Sequence, residues 1–248
     1  MSENKQFYYK FYPVIEFNAL DALPLILGVL SGRNAKYKLG PMNDFEQVSK
    51  NEEKILNLFD KIKGGSITIK LDDVVFDVDI VLSRNLRGEN VHFNLVQLDL
   101  SNIHFFFHEN TTDNETVLNN WKNLLNIVKD IAVSFGDNLF IAAGGSSWDF
   151  SNFWDSPKMK KENVVTVSDA TILSFPFWSF VLRKSMFDKG NLFSTDNIPA
   201  WKIKEFDDFV MIINGPAPIG AIFGEKLPDT SQPVSNYFSK FFKEQGLL

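Results

Sequence analysis

The chain predicts an α+β fold: a mostly antiparallel sheet with helices packed on one side, arranged as two similar α/β halves. Three observations carry this. Between Ser66 and Glu109, runs of β-branched and aromatic residues are broken by short Asp-, Asn- and Ser-containing turns, the pattern of a meander. Asp113 to Phe135 repeats an apolar residue every three or four positions, which marks a helix with one buried stripe. Beyond Ser231, Tyr237, Phe238, Phe241 and Phe242 recur at the same spacing.

The elements follow in order. Phe7 to Phe17 is dense in aromatics and reads as a strand. Asn18 is placed to cap a helix from Ala19 to about Leu30. Pro24 lies past its first turn and predicts a kink or a later start. Lys36 to Leu39 is extended, and Gly40-Pro41 turns the chain. Asn43 with Glu46 forms a capping pattern for a helix ending at Gly64-Gly65.

Four strands come next, Ser66–Leu71, Val74–Leu82, Val91–Leu98 and Ile103–Glu109. Thr112 and Glu115 make a capping box for the helix that Gly136 ends. Leu139–Ala143 is a short strand, and 144–161 is loop-like. Val164–Val167, Ala170–Phe175, Trp178–Leu182, Ala200–Lys204 and Phe209–Ile213 read as strands, with Ile219–Phe223 a further edge. Ser231 caps the last helix, and Pro233 sits in its first turn. The chain is expected to form a single globular domain over 1–248. A sub-module boundary near 137–162 would separate an N-terminal half, 1–136, from a C-terminal half, 163–248.

Composition narrows the function. The chain has 25 phenylalanines, three histidines and no cysteine, so it is rich in packing material and poor in nucleophiles and proton shuttles. No segment carries a catalytic signature, and the expectation is a protein that is not an enzyme and needs no cofactor. The net charge of −6 argues against nucleic acid, whose phosphates want a basic surface. Met1 to Tyr12 lacks an apolar leader core, and Ala19 to Leu30 is interrupted by Asp21, Pro24 and Gly28. Neither suits export or a bilayer, so no membrane is expected and the cytoplasm is the expected compartment.

Several constellations could carry chemistry. His92, His104 and His108 fall on one face of the proposed Val91–Glu109 hairpin, where imidazoles could bind a transition metal. The plainer reading is half-exposed strand residues, since Glu109 points the other way. Asp77 and Asp79 share the outer face of one strand, with Asp72 and Asp73 at its start. They read as a solvated face, as an acidic stripe for a basic partner, or as a metal-holding Asp-x-Asp pair.

Gly144-Gly145-Ser146-Ser147 lacks the Lys-Ser/Thr ending of a phosphate loop, and no capping pattern follows it immediately. The segment Trp148-Asp149-Phe150-Ser151-Asn152-Phe153-Trp154-Asp155 puts large aromatics in a polar stretch. It either plugs the core or presents interface anchors flanked by acids. In Ser174-Phe175-Pro176-Phe177-Trp178, Phe175 and Phe177 share one side and Trp178 takes the other, for core packing.

The order of features resembles bacterial polymorphic-toxin immunity families, in particular the Imm52-like group. The matching pieces are Leu39-Gly40-Pro41 before the Asn43–Ile62 helix, Trp148-Asp149, and Gln245-Gly246-Leu247-Leu248. Met42 stands where that group has Arg after the Gly-Pro. The resemblance implies an acidic cytosolic protein that neutralises a toxin by occluding its active site. The expected partner is a basic protein toxin or other effector, met through Asp73, Asp77, Asp79, Trp148, Asp149, Phe153, Trp154 and Asp155. A phage anti-defence inhibitor would look alike. The alternative from another class is a metal-binding enzyme or sensor on the His92/His104/His108 face.

Overall fold

A computed structural model of the chain describes residues 6–14, 17, 19–40, 43–62, 65–71, 74–86, 89–100, 104–107, 113–150, 173–185, 195–224 and 226–244; at 62, 80–86 and 89–95 it describes the backbone alone. The strands are β1 Phe7–Pro13, β2 Lys36–Lys38, β3 Glu46–Gln47, β4 Gly65–Leu71, β5 Val74–Leu86, β6 Glu89–Asp99, β7 Leu139–Ser146, β8 Ser179–Arg183, β9 Lys202–Phe206 and β10 Phe209–Ile213. They form a single ten-stranded sheet in the order β3-β2-β4-β5-β6-β1-β7-β8-β10-β9. Every strand pairing in it is antiparallel. Among the described residues the long helices are α1 Ala19–Gly32, α2 Glu52–Ile62, α3 Asn114–Phe135 and α4 Ser231–Glu244. The fold is α+β.

Alternation along each strand decides which side chains meet which helix. Tyr9 and Phe11 of β1, Val96 and Leu98 of β6, and Phe76 and Val78 of β5 join the core built by α1, α2 and α3. On β10, Phe209, Met211 and Ile213 face that core, whereas Val210 and Ile212 face a second one. The second core holds Val234, Phe238 and Phe242 of α4. The first three helices therefore cover one face of the sheet, and α4 covers the reverse face of the C-terminal strands. Phe177 and Trp178 split between the two cores, with Phe175 packed against that of Phe177.

The expected fourth strand, Ile103–Glu109, does not hold over its described residues: 104–107 form a turn, and β1 takes the place beside β6. Side-chain bonds from α3 hold the turn: Trp121 Nε1 donates to the Phe105 carbonyl at 2.7 Å, and Asn120 Nδ2 to that of His104 at 2.6 Å. Trp121 is the hub of the core, with the rings of Phe7, Phe105 and Trp178 all within 5.0 Å between centroids.

α1 begins at Ala19 as expected and runs through Pro24, while Asn18 lies outside the described residues. Later helix starts move. Glu46 pairs in β3 with Tyr37 and accepts from Lys54 Nζ at 3.3 Å instead of closing a cap with Asn43. The helix after it starts at Glu52, and the Asn51 carbonyl accepts from Ile55. Asp113 caps α3 by accepting from the Thr116 amide at 2.7 Å, and Thr112 lies outside the described residues. Gly136, at φ +52°, closes α3 as expected, its amide donating to the carbonyls of Ala132 and Val133.

At α4 the Thr230 carbonyl precedes Ser231 as the cap, accepting from Val234. The buried stripe is Val234, Phe238 and Phe242, with Tyr237 and Phe241 half-buried beside it. Residues 219–223 turn rather than extend, and Leu173 to Phe175 is helical and then bent. Val164–Val167, 170–172 and Gln245–Leu248 lie outside the described residues.

Candidate partner-binding cleft

The cleft is built from the end of β7. Gly144 and Gly145 are there because two aromatic rings lie against the backbone. A Cβ on Gly144 would sit 2.8 Å from the Tyr9 ring, and one on Gly145 would sit 2.5 Å from the Phe177 ring. Both distances are below van der Waals contact, so only glycine fits.

The strand then ends in a capping box, which overturns the expectation of loop without a cap. Ser146 precedes a helical stretch over 147–150. Its amide and hydroxyl both bond Asp149 Oδ2, at 2.8 and 2.7 Å, and the Asp149 amide lies 3.2 Å from Ser146 Oγ. Asp149 thus has a structural task, closing the cap of the turn. The stretch directs Phe150 inward, 2% exposed, and leaves Trp148 72% exposed. Burial and exposure are both realised, by different residues: Phe150 packs in the core and Trp148 faces solvent. Phe153, Trp154 and Asp155 lie outside the described residues.

Beside this turn a cleft of about 510 Å³ opens. Its floor is Phe7, Phe106 and Trp178, and its walls include Pro176, Pro218, Asp229 and Gln232. Trp148 lines one part of it and Ile219, 73% exposed, another. Further along the same turn Phe223 is 70% exposed, its ring stacked on Phe107 with centroids 5.3 Å apart.

Buried hydrogen bonds fix the walls. Trp178 Nε1 donates to the Gly215 carbonyl at 2.9 Å. Fully buried Asn214 donates through Nδ2 to the Phe177 carbonyl at 2.8 Å and accepts from Thr230 Oγ1 at 3.1 Å. The aromatic turn, the loop after β10 and the start of α4 are thereby locked to one another. Sequence reading missed Ile219 and Asp229. The available signal for Ile219 was a large apolar residue between Pro218 and Gly220, where the chain turns and a core position is hard to reach.

The acidic pair lies elsewhere. Asp77 and Asp79 do share a face, on the side of β5 away from α1 to α3. Strand order adds neighbours that sequence reading missed. Asp77 stands in register with Asp99 of β6 and Thr68 of β4, and Asp79 with Gln97. Asp99 in turn pairs with Tyr8, and Gln97 with Lys10 of β1.

Gln97 Nε2 donates to Asp79 at 2.8 Å. Burial raises the Asp77 carboxyl above its ordinary range; a bond from Thr68 works against this, and repulsion from Asp79 and Asp99 adds to it. Burial, then Asp99 and Asp79, raise the Tyr8 phenol likewise. Lys10 has its Nζ 4.2 Å from the centre of the Phe150 ring. The stripe and the Trp148 segment are thus tied together through β1. Asp73 lies outside the described residues.

His92 lies on β6 and His104 sits in the turn after it, so these two do not share a sheet face; His108 lies outside the described residues. Among the described residues no group of three His, Cys, Asp or Glu is placed to hold a metal ion. No helix among them is long and apolar enough to cross a membrane.

No family model matches the chain, and no curated protein matches it. Among solved structures, a chain described as Pseudomonas aeruginosa T6SS protein PA0821 is similar over 96% of this chain and 72% of its own length, at 12% identity and a TM-score of 0.42. No family match accompanies the Imm52-like pattern. One of its pieces also shifts, because the helix after Gly40 starts at Glu52 rather than Asn43.

Proposed function

We propose that this is a binding protein of the cytoplasm that grips a protein partner through the cleft at the end of β7. Its most concrete form is an immunity protein that neutralises a toxin by covering its active site. The single observation behind the reading is the exposure of Trp148 and Ile219 on one apolar-floored cleft. Large apolar side chains grouped at a cleft are costly to leave in water and are typical of interface anchors. The rigid hydrogen-bonded walls support it, because a preformed surface loses little entropy on binding. The acidic face of β5 and β6 would then steer a basic partner toward the molecule.

The test is capture of the partner by the tagged protein, with Trp148→Ala and Ile219→Asp in parallel. The protein should retain one stoichiometric partner, toxic when expressed alone. Each variant should weaken that complex by about 30-fold, the scale of an interface hot spot, at an unchanged melting temperature. Unchanged affinity in both variants, with loss on charge reversal at Asp77 and Asp79, would move the interface to the acidic face and sink this reading.

A further inference from the structure

We infer that the cleft is built to take a guanidinium group, an arginine of the partner carried beside an apolar residue. The inference rests on the cleft being an interface, as proposed above. Among the described residues that line it, the ionisable ones are Asp149 and Asp229, and no Lys, Arg or His joins them. An anion would meet two carboxylates there. An amide at each of the two helix starts already bonds a carboxylate: Ser146 N–H bonds Asp149 Oδ2 at 2.8 Å, and Ser231 N–H bonds Asp229 Oδ1 at 3.0 Å.

Each cap uses one carboxylate oxygen. The other oxygens, Asp149 Oδ1 and Asp229 Oδ2, have no hydrogen-bond partner among the described residues. Trp148 lines the same cleft and is mostly in water. Spare carboxylate oxygens with an aromatic face suit a planar cation with several donors better than a compact ammonium. The apolar floor of Phe7, Phe106 and Trp178 accounts for the second requirement. A space of about 510 Å³ lies in the range of sites that enclose drug-sized ligands, larger than one guanidinium needs. A neighbouring apolar side chain fills the remainder.

The experiment titrates the full chain with acetyl-Leu-Arg-Leu-amide and with its citrulline counterpart, which keeps the shape and removes the charge. The readout is the indole N–H resonance of Trp148, assigned from Trp148→Phe. The arginine peptide should shift that resonance saturably and bind at least tenfold more tightly than the citrulline peptide. In Asp149→Asn with Asp229→Asn the preference should disappear, since Asn keeps an oxygen for each cap and loses the charge. Equal binding of the two peptides, or no saturable shift at Trp148, overturns the inference. If Trp148→Ala and Ile219→Asp abolish the partner complex while the Asn variants leave it untouched, the cleft stands as the interface and the guanidinium assignment alone falls.

Discussion

Lys10 keeps an ammonium in the middle of a sheet face, beside the rings of Phe150 and Tyr8, and burial pulls its pKa down to about 8. The cation–π contact returns part of the desolvation cost but not all of it. The unfolded chain binds this proton up to about pH 10.5, and the folded one releases it near 8. The cost is therefore fully present below about pH 8 and fades as pH rises toward 10.5. Lys10→Met should stabilise the protein at pH 7 by about 1–2 kcal/mol, or roughly 2–8 °C in the melting midpoint. Melts at pH 7 and pH 10 check this, and the gap between variant and parent should narrow at the higher pH. The alternation of β1 already marks Lys10 as lying opposite Tyr9 and Phe11. Its buried setting was not legible, because Phe150 arrives from 140 residues away in the chain. Asp99 escaped notice for the same reason: its pairing with Asp77 depends on the register of β5 against β6.

At the scale of elements, the places where sequence reading failed share one cause. Asn43, Thr112 and Ser231 are good caps in isolation, yet the helices start from Asn51, Asp113 and Thr230. Several residues near each start could cap it, and packing selects among them. Ile103 to Glu109 has strand composition, but its residues 104–107 are turned by Trp121 and Asn120 of α3. Ser146 and Asp149 form a capping box whose signal is present in the sequence, but Gly144 and Gly145 before it made the stretch read as loop. The two glycines make a clear test. Gly145→Ala puts a methyl group 2.5 Å from the Phe177 ring, and should destabilise by about 1–3 kcal/mol, the range for overpacking. Gly28→Ala, inside α1 with nothing within 4 Å of its added Cβ, should instead stabilise by about 0.5–1 kcal/mol. Urea unfolding of both variants checks the contrast, and Gly145→Ala should also disturb the Trp148 turn that follows.

For the whole molecule, what the sequence made legible was the class: antiparallel strands, a long capped helix and a Phe-rich terminal helix. Strand order was not legible, because it depends on pairings between distant segments. Charge is also sorted at this scale. Asp77, Asp79 and Asp99 gather on β5 and β6. Lys202 and Lys204 of β9 lie near Lys122 and Lys129 of α3, so that burial and then these three neighbours hold the Lys204 ammonium below its ordinary range. Lysines on a terminal strand discourage pairing with other chains. The sheet should open from its ends. Hydrogen exchange should be slowest at Tyr9 and Phe11 of β1, which are fully buried between β6 and β7, and fastest in β3 and β9 at the two margins. Equal protection of β1 and β9 would show instead that the sheet opens as one unit.

The central position of β1 has a consequence for how the chain is made. Phe7 to Pro13 leaves the ribosome well before its partners, and Leu98 and Gly144 must follow before Tyr9 has a neighbour on either side. Until then an aromatic strand with two unpaired edges waits in solution. Such non-local closure makes folding slow and leaves the nascent chain open to association. The early part of this protein's life is thus its most vulnerable, and a holding chaperone would act there on the strand that later becomes its most protected.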